Sequence, residues 1–336
     1  MTEIPLLQVK DLVHEFRTDR GTVHAVSGVS FDVRAGETLG IVGETGSGKS
    51  TLARAIVQAP RPTSGAVVFR GADLVTLRGT RLLQARRHLQ MVFQDPFGSL
   101  DPKWRVRDLV EEPLVAYKTG DRTARRRRVD EVLELVGLAG YSTRRPRELS
   151  GGQAQRVAIA RAVALNPALI ICDEAVSSLD VLIQAQVLNL FERLRAELRL
   201  SYLFIAHDLA LVKQVSDRVA VMYLGKLCEV GPGEEVYRQP LHPYTRALLD
   251  SVPGAATARA TKTIHGEPPS PVHPPSGCRF RTRCPRAEQR CADEEPVMRE
   301  LPTGHTAGHS VACHFPLVPA ADSPARSEEK IGENPR

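Results

Sequence analysis

From Leu6 to about Gln239 short apolar runs alternate with stretches of helical spacing, which predicts an α/β domain. Thr38–Val42 (TLGIV), Ala168–Cys172 (ALIIC) and Tyr202–Ala206 (YLFIA) read as short buried strands, each running into a polar or glycine-bearing loop. An open parallel sheet binds ligands at such loops. Over Val181–Leu198 the apolar residues Val187, Leu190, Phe191, Leu194 and Leu198 keep i, i+3, i+4 spacing, predicting an amphipathic helix with its stripe toward the core. Residues 103–149 are more charged and helix-rich, and their run Arg125–Arg128 reads as a solvated helix face. No internal repeat is present. Beyond about Val252 the chain turns to Pro, Ala and Thr, and HGEPPSPVHPPSG at 265–277 predicts an extended connector, since proline at this density forbids helix and central strand.

These patterns divide the chain into a domain over 1–250 with a helical subdomain at about 95–165, and a connector over 251–276. A cysteine-bearing module over 277–315 and a disordered tail over 316–336 follow. Composition narrows the class. Of 336 residues, 42% are hydrophobic and 25% charged, which fits a soluble globular protein and excludes a collagen-like or wholly disordered chain. Aromatics at 5% argue against stacking platforms for single-stranded nucleic acid. The net charge of +6 permits an anionic partner without choosing among nucleotide, nucleic acid and membrane surface. No stretch reaches the ~18 consecutive apolar residues of a membrane span, and the start MTEIPLLQVKDLVHEF lacks a signal-peptide layout. A cytoplasmic location follows as the expectation, and in that reducing compartment six cysteines do not suggest a disulfide scaffold.

Three segments carry chemistry. After TLGIV comes Gly43-Glu44-Thr45-Gly46-Ser47-Gly48-Lys49-Ser50, then Thr51, matching G-x-x-x-x-G-K-[ST] between a strand and a helix. The glycines let backbone N–H groups curl around phosphate oxygens while the helix points its positive end at them. Lys49 is placed to reach the β- and γ-phosphates of a nucleoside triphosphate and Ser50 to ligate Mg²⁺. The strand LIICDE ends in two acids, Asp173 to hold the metal and Glu174 to polarise an attacking water. Leu149-Ser150-Gly151-Gly152-Gln153 opens a helix with Ser150 as N-cap, a second anion-binding terminus.

That pentapeptide resembles the signature of the ATP-binding-cassette (ABC) ATPases, and the resemblance covers roughly residues 6–250. In the same order, Gln94 in VFQDPFGSLDP is similar to the family's Q-loop, Ser178-Leu179-Asp180 to its D-loop, His207 after YLFIA to its switch histidine, and Phe16 to the aromatic that stacks on adenine. The resemblance implies a P-loop NTPase fold with a mixed sheet, an antiparallel β subdomain and a helical subdomain. Two cassettes sandwich two ATPs head to tail, so Ser150, Gly152 and Gln153 would contact a nucleotide held by the partner's phosphate loop, and Gly151 and Asp180 are counted with the nucleotide-binding residues. It also implies catalysis by Lys49, Gln94, Glu174 and His207, with Mg²⁺ held by Ser50, Gln94 and Asp173. Ala154 stands where the family more often has Arg or Gln, and Ala175 where it has proline; neither change removes a catalytic atom.

Cys172 and Cys228 lie in apolar strands and read as small core residues, whereas Cys278, Cys284, Cys291 and Cys313 cluster as C-x5-C-x6-C-x21-C. In a reducing compartment this spacing suggests metal ligation, with Zn²⁺ and an iron–sulfur cluster both accepting four thiolates, and His305, His309 and His314 nearby. LHPYTRALLDSVP, GEPPSPVHPPSGCRFRTRCPRA, HSVACH and AVSSLDVLIQAQVLNL are similar to segments of the dipeptide/oligopeptide/nickel-type ABC importer ATPases. That resemblance implies a [4Fe–4S] cluster on the four cysteines in a structural rather than redox role, with structural zinc as the alternative and an unoccupied or disulfide-bonded module as the third reading. It implies an ATP-hydrolysing subunit at the cytoplasmic face of the membrane. Its expected partners are a second ATPase, which in this group is generally a paralogue, two permease subunits and an extracytoplasmic substrate-binding protein. Di- and oligopeptides are the expected cargo, with nickel or another small solute as the alternative. A non-transport ABC ATPase acting on nucleic acid or ribosomes is the reading from another class, disfavoured by a single cassette without an inserted coiled coil; no nucleic-acid partner is expected.

Overall fold

In the computed structural model, which describes residues 4–251, 266–301 and 308–317, the chain begins with two long antiparallel strands, β1 (Leu7–Thr18) and β2 (Gly21–Val33). The phosphate-loop strand β3 (Thr38–Val42) and helix α1 (Lys49–Ile56) follow, then β4 (Ser64–Phe69), β5 (Ala72–Asp73), α2 (Gly79–Arg87) and β6 (Leu89–Val92). A helical block comprises α3 (Val106–Ala116), α4 (Arg122–Leu135) and α5 (Gly151–Val163). The chain then runs through β7 (Leu169–Asp173), α6 (Val181–Leu198), β8 (Ser201–Ala206), α7 (Leu209–Val215), β9 (Arg218–Tyr223), β10 (Lys226–Pro232), α8 (Gly233–Arg238) and α9 (Pro243–Asp250). After the connector come α10 (Gln289–Asp293), β11 (Arg299–Glu300) and β12 (Ser310–Val311). The three expected strands form within one residue of their apolar runs, and the expected helix coincides with α6.

Two sheets result, one in the order β2-β1-β4-β5 and one in the order β11-β12-β10-β9-β3-β8-β7-β6. Neighbours from β9 to β6 pair in parallel, while β10, β12 and β11 extend that sheet antiparallel at one edge. The central strands are apolar at nearly every position because both faces are covered. On β8, Tyr202, Phe204 and Ala206 face one hydrophobic cluster with Val187, Leu190 and Phe191 of α6. Leu203 and Ile205 face the other, with Leu52 and Ile56 of α1 and strands β1, β2 and β4. Each large apolar side chain buried in this way contributes about 1.5–3 kcal/mol.

The helical block packs on itself through Leu109 and Val110 of α3, Val132 and Leu133 of α4, and Val157 of α5. Here the structure corrects the reading of Arg125–Arg128 as a solvated face. Arg126 and Arg127 are exposed, but Arg125 pairs with Glu111 at 3.0 Å and Arg128 donates to the carbonyls of Val163 (3.1 Å) and Ala164 (3.2 Å). Residues three apart share one side of a helix, so the two ends of the run turn inward and staple α4 to its neighbours.

The C-terminal segment lies against the preceding α/β fold. Strand β12 pairs with β10 at Glu229, whose wholly buried carboxylate accepts the Leu241 and His242 N–H groups (2.8 Å each) and meets His309 Nε2 at 2.7 Å. Phe280 enters the main core. In the connector, the Pro271 carbonyl accepts from the His24 N–H of β2 at 3.0 Å. Leu317, inside the expected tail, donates its N–H to the Leu241 carbonyl at 2.8 Å. The rest of that tail, 318–336, and connector residues 252–265 lie outside the described residues, as does His305.

Candidate functional site

The parallel strands β6, β7, β8 and β3 deliver their carboxyl ends to one side of the sheet, where an open α/β sheet holds ligand. The loop after each carries a predicted side chain: Gln94 after β6, Glu174 after β7, His207 after β8, and the phosphate loop after β3. A cavity of ≈ 530 Å³ opens there, lined by Thr45, Gly46, Gly48, Lys49, Ser50, Thr51, Gln94, Glu174 and His207, with Phe16 also on its wall.

The loop's path requires glycine. Gly46 and Gly48 have φ of 80° and 101°, in the left-handed region that side chains rarely adopt. A Cβ on Gly48 would meet the Ala25 carbonyl oxygen at 2.0 Å, and one on Gly43 the Met222 carbonyl oxygen at 2.0 Å. The loop is therefore wedged between β2 and β9, and α1 starts at Lys49 with its free N–H groups toward the cavity. Lys49 is buried and donates to the carbonyls of Gly43 (2.7 Å) and Glu44 (2.9 Å) and to Ser47 Oγ (3.3 Å). Burial pulls its ammonium below the ordinary lysine value, opposed by the charges of Glu174, Asp173 and Glu44. This is a desolvated cation poised for an anion, caged meanwhile by loop carbonyls.

Ser50 Oγ donates to Asp173 Oδ1 at 2.8 Å, joining the start of α1 to the end of β7. Burial raises the Asp173 carboxyl above its usual range, against the hydrogen bond from Ser50, which lowers it. One oxygen of Glu174, Oε2, accepts from Gln94 Nε2 at 3.0 Å and lies 3.5 Å from His207 Nδ1. Glu174 has φ of 49°, and its N–H is tied to the Ile205 carbonyl at 2.9 Å. A left-handed glutamate held this way aims its carboxylate across the loop at a cost of about 1–3 kcal/mol.

Gly43, Glu44, Ser47 and Asp173 stand behind the lining, in contact with Lys49 or Ser50. Ser150, Gly151, Gly152, Gln153 and Asp180 do not line this cavity. Ser150 Oγ instead accepts from the Gln153 N–H (3.3 Å) while Gln153 Oε1 accepts from the Ser150 N–H (3.0 Å), a capping box at the start of α5. Asp180 caps α6 through the Ile183 N–H at 3.0 Å. The sequence reading missed His24, Ala25, Leu224, Gly225 and Pro271, which line the side near Phe16. They lie on β2, in the β9–β10 turn and in the connector, and no motif marks them.

All six cysteines are free thiols. Cys278, Cys284, Cys291 and Cys313 line one narrow cavity with Phe280, Arg286 and His314. Burial pushes the thiols of Cys278 and Cys284 up, and that of Cys313 to about 11. Among the described residues, no group of three or more His, Cys, Asp or Glu side chains is arranged to hold a metal ion, and no helix is long and apolar enough to cross a membrane.

Residues 26–177 match the family model described as ABC transporter, and residues 228–291 the model described as oligopeptide/dipeptide transporter, C-terminal region. The chain is 48% identical over 322 residues to a putative oligopeptide transport ATP-binding protein, YkfD, of Bacillus subtilis, covering 94% of this chain and 97% of the relative. It is 48% identical over 306 residues to the oligopeptide transport ATP-binding protein AppF of the same organism, covering 89% and 92%. Among solved structures it is similar to the ATP-binding cassette MJ0796, a dimer bound to ADP and Pi, with TM-score 0.62 and 29% identity over 67% of this chain and 98% of that one. It is also similar to cbiO1 of Clostridium perfringens, part of an ABC transporter complex, with TM-score 0.63 and 29% identity over 70% and 92%.

Proposed function

Since the chain belongs to the ABC transporter ATP-binding proteins of the oligopeptide/dipeptide type, we propose that it hydrolyses ATP to power the import of peptides through membrane-embedded partner subunits. The observation that carries this is the convergence of Lys49, Ser50, Gln94, Glu174 and His207 on one cavity at the carboxyl ends of β3, β6, β7 and β8. Phosphoryl transfer to water asks for positioning and charge stabilisation rather than covalent chemistry, and this set is suited to both.

The triphosphate would lie along the loop amides, with Lys49 released from the Gly43 and Glu44 carbonyls to the β- and γ-phosphates. The base would face Phe16. Ser50 and Asp173, already in contact, and Gln94 are the residues that would hold Mg²⁺, which supplies charge neutralisation at the phosphates when bound. Glu174 takes the proton of the attacking water, Gln94 keeps its carboxylate oriented, and His207 grips the γ-phosphate. The start of α5 stands apart from this chain's own cavity, which supports pairing with a second cassette whose nucleotide Ser150, Gly151, Gly152 and Gln153 would close over, with Asp180 at the same joint. The domain division at 250 and 276, two permease subunits, a substrate-binding protein outside the membrane and a place at the cytoplasmic face complete the proposal.

The four cysteines are proposed as ligands of a [4Fe–4S] cluster on their donor chemistry alone: they are free thiols on one cavity, and as they stand they are not grouped to hold a metal ion, so binding the cluster would require them to draw together. Zinc would draw on the same thiolates, so the assay must separate the two. Iron and acid-labile sulfide are expected in anaerobically purified protein; zinc in their place, or neither, overturns the assignment. The transport reading is tested in vesicles holding the assembled complex. ATP-driven peptide uptake is expected, and uptake of nickel but not peptide, or recovery of the chain on ribosomes or DNA, would overturn it.

A further inference from the structure

Glu44, the second residue of the phosphate loop, is held from three directions. Its carbonyl accepts from Lys49 Nζ at 2.9 Å, its N–H donates to Tyr244 Oη at 2.9 Å, and its carboxylate takes Arg283 Nη1 at 2.8 Å. The last two contacts lead to the cysteine-bearing segment. Arg283 directly precedes Cys284, and Phe280 packs against Tyr244 and Tyr223 with ring centroids 5.3 and 5.2 Å apart. The Arg283 side chain is only 7% exposed, and the same Nη1 reaches Tyr223 Oη at 3.3 Å.

This arrangement solves an electrostatic difficulty. A loop that must receive a polyanion carries a carboxylate at its second position, on the residue whose carbonyl cages Lys49. The guanidinium that cancels that charge comes from 239 residues further along the chain. We propose that Arg283 is a positioning residue for the nucleotide: it neutralises Glu44 and fixes the mouth of the phosphate loop, so that ATP affinity is set in part from the cysteine-bearing segment. The inference rests on the ATP-site reading above and deepens it.

The charges predict opposite signs for the two partners, which a purely structural brace does not. Arg283→Ala leaves a carboxylate uncompensated in the phosphate loop, on the residue whose carbonyl cages Lys49, and should raise the ATP dissociation constant about tenfold. Glu44→Gln leaves the guanidinium free and should bind ATP more tightly than the parent chain. The double variant should return toward the parent value, and Arg283→Lys, which keeps the charge, should stay within about threefold of it. Calorimetric titration of the full-length chain with MgATP reads all four, with thermal melts to show that each is folded; if Arg283→Ala does not fold, the sign of Glu44→Gln and the rescue by lysine still decide. Parental affinity in Arg283→Ala, equal weakening by Arg283→Ala and Glu44→Gln, or failure of the lysine variant to rescue overturns the inference. Absence of ATP binding by the parent chain would overturn the functional reading itself.

Discussion

Gly48→Ala probes the architecture of the phosphate loop at a position where two separate costs can be told apart. The backbone there has φ of 101°, which an alanine tolerates at a cost of about 1–2 kcal/mol. The new Cβ would also lie 2.0 Å from the Ala25 carbonyl oxygen, a backbone atom that has no rotamer to escape by. Contacts of this kind are not found below 3.0 Å, so loop or strand must move by at least the difference, about 1 Å. Such a shift carries the start of α1 and Lys49 with it, and losing one hydrogen bond from a charged group to the nucleotide costs about 1.5–3 kcal/mol, which is about tenfold to 100-fold in affinity. Gly71 supplies the control: its φ is 82°, nothing lies within 4 Å of a methyl placed there, and it sits in the β4–β5 turn. In paired MgATP titrations and thermal melts, Gly71→Ala should lose only a few degrees in Tm and keep its ATP affinity. Gly48→Ala should lose more in Tm than Gly71→Ala and about tenfold or more in affinity. Parental affinity in Gly48→Ala, or equal effects of the two substitutions on affinity, would refute the geometry described for the loop.

Three further outcomes follow from named contacts. Ser150→Ala should cost about 1 kcal/mol through loss of the α5 cap and leave ATP binding by the isolated chain unchanged, yet lower turnover in the assembled complex; weakened binding in the isolated chain would contradict the placement of Ser150 outside its own cavity. Arg128→Ala should destabilise the helical block by about 1–3 kcal/mol in urea unfolding, because the Val163 and Ala164 carbonyls lose their donor, whereas Arg127→Ala should stay within about 0.5 kcal/mol. Glu229→Ala should cost about 3–5 kcal/mol, since two backbone N–H groups and His309 lose a shared buried acceptor; a melting temperature equal to the parent's would show that the C-terminal segment is not anchored there.

That Lys49, Ser50, Gln94, Glu174 and His207 meet at one cavity was legible because each is bound to a local signal. A fully apolar strand followed by a glycine loop marks β3, and the acids at the end of β7 and His207 after β8 follow the same rule. Period-3.6 spacing likewise marked α6, whose stripe packs as expected. The sequence was silent where contacts join distant parts of the chain. Pro271 reaches the cavity only through its contact with His24 of β2, and Arg283 meets Glu44 across 239 residues of sequence. The arginine run misled for a related reason: a charge pattern shows which side chains are charged, and not that Arg125 and Arg128 have carbonyl and carboxylate partners on neighbouring elements.

The central claim, that this chain's own cavity hydrolyses ATP, rests on Glu174 at the end of β7. Phosphate release from MgATP by the assembled complex, with any partner cassette's own site silenced, tests it most directly. Glu174→Gln should still bind ATP, because Lys49 and the loop amides are untouched, while its turnover falls by about 100-fold or more. Turnover at the parental rate in that variant would contradict the account.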